Sequence, residues 1–138
     1  MNIIKHQIND AYQVIEPNLH DSNLVSVESY EDQATLKFRL VSNELIQAVF
    51  SNVNKLVCNN FREGNVVLDV TVERMVKISA HGLNKLFTPP RAMFEKYNAY
   101  IRSVNESIES GTMMLVTINP SYGCESIIYC ESVCFQKN

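Results

Sequence analysis

The 138-residue chain has no tryptophan and only four each of glycine, proline and cysteine. Four dispersed glycines cannot build a glycine-rich phosphate cradle, and neither G-x-x-x-x-G-K-[ST] nor G-x-G-x-x-G occurs. H-E-x-x-H and G-x-S-x-G are missing too, so no familiar cofactor enzyme is expected and no cofactor is implied. Cys58, Cys124, Cys130 and Cys134 lack C-x-x-C spacing, and His6, His20 and His81 are scattered along the chain. No metal site is therefore expected. The even cysteine count would permit two disulfides, but the preferred reading is four free thiols packed as small hydrophobes. Purely apolar runs reach about four residues, as in Met113–Val116, against the roughly 20 needed to cross a bilayer. The first ten residues hold no apolar core of signal-peptide length. A cytoplasmic protein with no membrane partner is expected. A net charge of −3 supplies no general field to attract nucleic acid.

What the chain does have is clear patterning. Its length suits a single domain spanning 1–138, able to bury a core without metals or disulfides. Apolar residues make up 46% and charged residues 20%, the profile of a globular protein. Glycines and prolines fall between patterned segments and so mark boundaries. Ile4, Ile8, Ala11, Tyr12 and Ile15 have helical spacing, which predicts an N-terminal helix over 2–15 with Pro17 just past its end. The period then changes to two. Strands are predicted at 24–30, 33–41 and 45–50, with turns at Glu31-Asp32 and Ser42-Asn43-Glu44. Residues 53–61 mix helix-like apolar spacing with Asn52, Asn54, Asn59 and Asn60, and read as a compact connection with about one helical turn. A long strand is predicted over 66–79, its inward series broken only by Arg74. Met93, Phe94, Tyr97, Tyr100, Ile101, Val104 and Ile108 form one face of a second, amphipathic helix. Thr88 is its expected N-cap, Pro89-Pro90 its first turn, and Gly111 its stop. Met114–Ile118, a turn at Asn119–Gly123 and a strand over 126–135 make a C-terminal β-hairpin. The expected class is α+β, an antiparallel meander covered by two helices.

The candidate sites are few. His20-Asp21-Ser22 is the most suggestive polar cluster, since an adjacent His and Asp can orient a proton or bind a ligand. The plainer reading is a turn in which Asp21 or Ser22 bonds local backbone N–H groups. Arg74, set in an apolar series, either anchors a ligand or snorkels at a strand end. Cys124, beside a turn, could act as a thiol nucleophile with His20 or His81, although no activating cation or helix N-terminus is evident. Tyr97 and Tyr100 read as core and rim packing.

Leu19-His20-Asp21-Ser22, the two alternating strands after it, Phe50-Ser51-Asn52-Val53 and Glu63–Val70 together resemble a group of small bacterial proteins. These open on L-H-D-[SA], and some are grouped with immunity proteins of polymorphic toxin systems. The resemblance covers residues 19–73. It implies a non-enzymatic protein that binds and neutralises a cognate toxin, with His20, Asp21 and Ser22 fixing a turn. Two expectations stand side by side. One is a protein-binding module of immunity type, with an exposed acidic or aromatic patch. The other is a small-ligand-binding protein or unrecognised enzyme, in which Arg74, His20 and Cys124 converge on a concave site.

Overall fold

The structure, a computed structural model, describes residues 2–78, 80–87 and 94–138. The helix expected over 2–15 is absent. Three short strands stand in its place: β1 (Asn2–Ile4), β2 (Gln7–Ile8) and β3 (Val14–Glu16). Asn9 is the cause. Its Oδ1 accepts from the N–H groups of Ala11 and Gln13, both at 2.9 Å, folding the chain into a turn. Tyr12 stands at φ 62, a left-handed conformation that a right-handed helix cannot contain. The apolar residues with helical spacing are dispersed, and Ile8, Tyr12 and Ile15 remain exposed.

The meander follows the alternation. β4 (Asn23–Tyr30), β5 (Gln33–Arg39) and β6 (Leu45–Ser51) pair antiparallel in order. Ala34, Leu36 and Phe38 of β5 are buried, while its polar residues face outward. Residues 53–61 are not a compact connection but contain a strand, β7 (Lys55–Asn59). Asn52 and Asn60, at φ 52 and φ 60, take the flanking turns and leave Leu56 and Val57 on opposite faces of the strand. β8 (Asn65–Glu73) ends earlier than its alternation suggests, because Met75 turns the chain at φ 58.

Val76 and Ile78 then pack with the helices. α1 (Ala80–Leu86) is a helix that the sequence pattern did not announce. α2 (Phe94–Ser110) is the amphipathic helix expected. Its proposed N-cap Thr88 and Pro89-Pro90 lie outside the described residues, while Gly111 at φ 87 ends it as anticipated. β9 (Met114–Tyr122) continues through Asn119-Pro120, where its register against β8 shifts, and the turn comes only at Gly123, φ 87. The single strand expected at 126–135 is two, β10 (Glu125–Cys130) and β11 (Ser132–Lys137), parted at Glu131.

Nine strands form one sheet in the order β1-β11-β6-β5-β4-β8-β9-β10-β7, and β2 pairs with β3 apart from it. β10 and β11 are joined by one residue yet sit toward opposite ends of that order. The sheet therefore curls, and its inner face encloses one core holding Phe38, Phe50, Phe135, Val116 and Ile128. A buried side chain of this size contributes about 1.5–3 kcal/mol relative to exposure. β9 and β10 are covered on both faces. Leu115, Ile127 and Tyr129 point outward into a second core formed with Leu83, Leu86, Phe87, Val104 and Ile108 of the helical layer.

β4 and β8 overlap only where both begin, at Asn23↔Val66 and Leu24↔Asn65, and then run off in opposite directions. Residues 12–22, an inserted segment with a cis Glu16–Pro17 bond, lead into β4 and run along β8. Their backbone bonds run from Val72 N to Tyr12 O, Asp21 N to Val67 O and Val67 N to Ser22 O, at 2.8, 2.9 and 2.9 Å. Beyond Leu24, the second edge of β4 from Val25 to Tyr30 pairs with no strand among the described residues.

Candidate functional site

His20, Asp21 and Ser22 lie where the inserted segment turns into β4. Asp21 adopts φ 62, and this left-handed kink brings two adjacent side chains together that extended backbone would send apart. His20 Nε2 is 3.5 Å from Asp21 Oδ2, with both side chains well exposed. His20 Nδ1 donates to the Leu68 carbonyl at 2.7 Å. A carbonyl can only accept, so this contact places the proton on Nδ1. Ser22 is fully buried and its Oγ donates to Leu19 O at 2.7 Å, which leaves that hydroxyl no role as a nucleophile. The three residues lie in a turn, but its side-chain bonds are not the expected ones: Ser22 donates to a carbonyl, and it is Asn18 Oδ1 that accepts from a backbone N–H, that of His20, at 3.2 Å.

Beside His20 lies an open cavity of about 510 Å³, between the inserted segment and Leu68–Val70. Its acidic group is already engaged. Asp69 accepts from Asn119 Nδ2 at 2.7 Å and from Gln13 Nε2 at 3.3 Å. Ile15 and Leu68 give the rim an apolar character.

Arg74 is elsewhere. It follows the far end of β8, and its Nε donates to Gly111 O at 2.9 Å, just past the C-terminus of α2. Met75 N bonds Ile108 O at 2.8 Å beside it. A cation at a helix C-terminus satisfies carbonyls that the helix leaves without partners and favours its dipole. Arg74 thus docks α2 onto the sheet.

Cys124 is in a third place. Its Sγ is 2.8 Å from Cys58 Sγ and 3.3 Å from Ser126 Oγ, and its N–H donates to Asn65 Oδ1 at 3.1 Å. Burial, together with the Cys58 contact, pushes the Cys124 thiol up to about 12, against a smaller downward pull from the Ser126 hydroxyl. The His81 side chain lies outside the described residues. Tyr97 and Tyr100 act at the helix–sheet seam: Tyr97 Oη donates to Phe87 O at 3.1 Å, and Phe87 meets Tyr100 edge-on at 5.2 Å. His20, Arg74 and Cys124 are not brought together, since each has its own partners on a different part of β8 and its neighbours.

The free edge of β4 carries an acidic stretch that reads from the sequence as solvated surface. Between Lys5 and Lys37 the chain has six acidic residues, Asp10, Glu16, Asp21, Glu28, Glu31 and Asp32, and no lysine or arginine. All six are exposed. Glu28, Glu31 and Asp32 surround Tyr30, which is 73% exposed at the tip of the β4–β5 hairpin. Glu131 joins this end, because Asp32 O accepts from Val53 N at 2.7 Å and Asn52 Nδ2 donates to Glu131 Oε2 at 2.8 Å. Glu28, Glu31 and Asp32 stand out in the sequence as acids near one turn and read there as solvated surface that a basic partner could meet. The free strand edge beside them is what no local pattern shows.

Among the described residues no group of three or more His, Cys, Asp or Glu side chains could hold a metal ion. Among the described residues no helix is long and apolar enough to cross a membrane. No protein-family model matches the chain, and no curated protein or solved structure is significantly similar to it.

Proposed function

We propose that this chain is a non-enzymatic protein-binding module, and that its partner presents a basic surface, most concretely the toxic domain of a cognate bacterial toxin that it neutralises. The observation that carries the reading is the free edge of β4. There an unpaired strand edge, Val25–Tyr30, runs beside exposed Glu28, Glu31 and Asp32 with Tyr30 among them. An unpaired edge offers main-chain hydrogen bonds to an incoming strand. An exposed tyrosine is a favourable contact anchor, and carboxylates around it select for and steer a positively charged partner.

The rival reading, a small-molecule or enzymatic site, has less support. Its three candidate residues engage separate partners, and the cavity by His20 is open with its carboxylate already hydrogen-bonded.

The test is the toxin domain encoded by a neighbouring gene, purified and titrated with this protein. Tight binding is expected. A Glu28→Lys/Asp32→Lys double variant should weaken it at least tenfold, mainly by slower association, with the effect shrinking as salt rises. A Tyr30→Ala variant should weaken it by a similar factor. Absence of such a toxin gene, or binding indifferent to these substitutions and to salt, would overturn the proposal.

A further inference from the structure

β7 and β10 are antiparallel neighbours in which Cys58 stands opposite Ser126. Cys124, two residues before Ser126, shares that face of the sheet, so Cys58, Cys124 and Ser126 form one cluster. The Sγ atoms of the two cysteines are 2.8 Å apart, and Ser126 Oγ lies 3.3 Å from one and 3.7 Å from the other. The two positions differ in access, since Cys58 is exposed at the sheet edge while Cys124 is buried. Cys124 is also held firmly in place, by its N–H bond to the buried Asn65 side chain and by the Gly123 turn before it.

We propose that Cys58 and Cys124 are a thiol-oxidation site, a paired dithiol that closes to a cross-strand disulfide by exchange with low-molecular-weight disulfides of the glutathione type. The exposed Cys58, as its thiolate, attacks one sulfur of the small disulfide. A Cys58–S–S–R bond forms, the original S–S bond breaks, and one thiolate leaves. Cys124 sulfur then attacks Cys58 Sγ and expels the second small thiolate, which takes up the Cys124 proton. The two protein thiols are oxidised, and one small disulfide is reduced to two thiols. Burial makes free ionisation of Cys124 unfavourable, which sets this order of attack. The Ser126 hydroxyl is placed to donate to the Cys124 sulfur as charge develops on it.

The other two cysteines are placed differently. Cys130 is fully buried, and Cys134 Sγ contacts only its own strand, at Phe135 O and Gln136 Nε2. The bridge would tie the last strand of the sheet to its neighbour and close a chain separation of 66 residues.

The experiment exposes the folded full chain to glutathione disulfide and follows intact mass and non-reducing peptide maps. Wild type is expected to become lighter by two hydrogens, with a linked peptide pair containing Cys58 and Cys124. Cys124→Ser should stop as a glutathione adduct on Cys58, and Cys58→Ser should remain unmodified. Oxidised wild type should melt roughly 5–15 °C above the reduced form, reversed by a dithiol reductant. The wild-type map decides the matter even if Cys124→Ser folds poorly. A stable Cys58 adduct on wild type, a bridge to Cys130 or Cys134, or no reaction would overturn the proposal.

Discussion

Replacing Asn65 with alanine should be one of the costliest single polar substitutions in this protein. Its side chain is 2% exposed and joins three parts of the chain. Oδ1 accepts from Arg62 N at 2.8 Å and Cys124 N at 3.1 Å, while Nδ2 donates to Leu24 O at 3.2 Å. Asn65→Ala leaves all three partners without that contact. Arg62 is exposed, so its N–H can turn to water. The Cys124 N–H and Leu24 carbonyl are buried in these bonds, and a buried polar group left unsatisfied costs about 1–3 kcal/mol. Partial entry of water into the vacated space puts the total at roughly 2–4 kcal/mol. For a chain of this size that lowers Tm by roughly 6–16 °C. Asn23→Ala is the internal reference, because it removes one partly buried bond, Asn23 Nδ2 to Asn65 O at 3.2 Å, worth about 0.5–1 kcal/mol. Urea unfolding of the two variants beside wild type measures both values, provided the m-values agree. A loss below about 1 kcal/mol for Asn65→Ala, or one no larger than that of Asn23→Ala, would refute the role assigned to this side chain.

Two further outcomes follow from the same structure. Gly123→Ala should destabilise by about 2–4 kcal/mol, because φ is 87 and the added methyl would sit against Asn65 Oδ1, whereas Gly64→Ala should cost only about 1 kcal/mol, since φ is 77 but the space is open. Equal losses in urea unfolding would contradict this. Burial raises the Glu73 carboxyl above its ordinary value, so the folded state holds that proton more tightly than the unfolded chain. Its contribution is therefore full below the unfolded value and lost as pH rises through the raised folded one. Glu73→Gln should melt slightly above wild type at neutral pH, with the gap closing toward about pH 4. A gap that persists or widens on acidification would count against desolvation as the cause.

The meander was legible because its residues obey one rule, with Ala34, Leu36 and Phe38 inward and polar neighbours outward. α2 was legible for the same reason at a different period. The N-terminal segment misled because Ile4, Ile8, Tyr12 and Ile15 repeat at helical intervals while Asn9 and a left-handed Tyr12 set the path. In residues 53–61 the asparagines are turn formers, as expected, but they flank β7 instead of filling a loop. The end of β8 was hidden because Val76 and Ile78 continue its apolar series although they serve the other core. The pairing of Cys58 with Cys124 depends on the register of two strands distant in sequence, which no local pattern carries. His20, Arg74 and Cys124 were each noticed as chemically unusual residues. Their separate partners depend on which segments lie along β8, which local spacing does not describe.

The way the sheet closes also governs when it can form. β4, β5 and β6 pair through short connections and can assemble as an early island. Apart from β2–β3 and β9–β10, the other ladders join distant stretches: β6 waits for β11, β4 for β8, β8 for β9, β7 for β10, and β1 for β11, with Asn2 opposite Lys137. Such long-range closure is slow relative to local pairing. On the ribosome β11 is made long after β6, so β6 must keep a bare edge until Ser132–Lys137 have emerged. The nascent chain thus passes through a stage with exposed strand edges, in which unwanted pairing with other chains competes with folding.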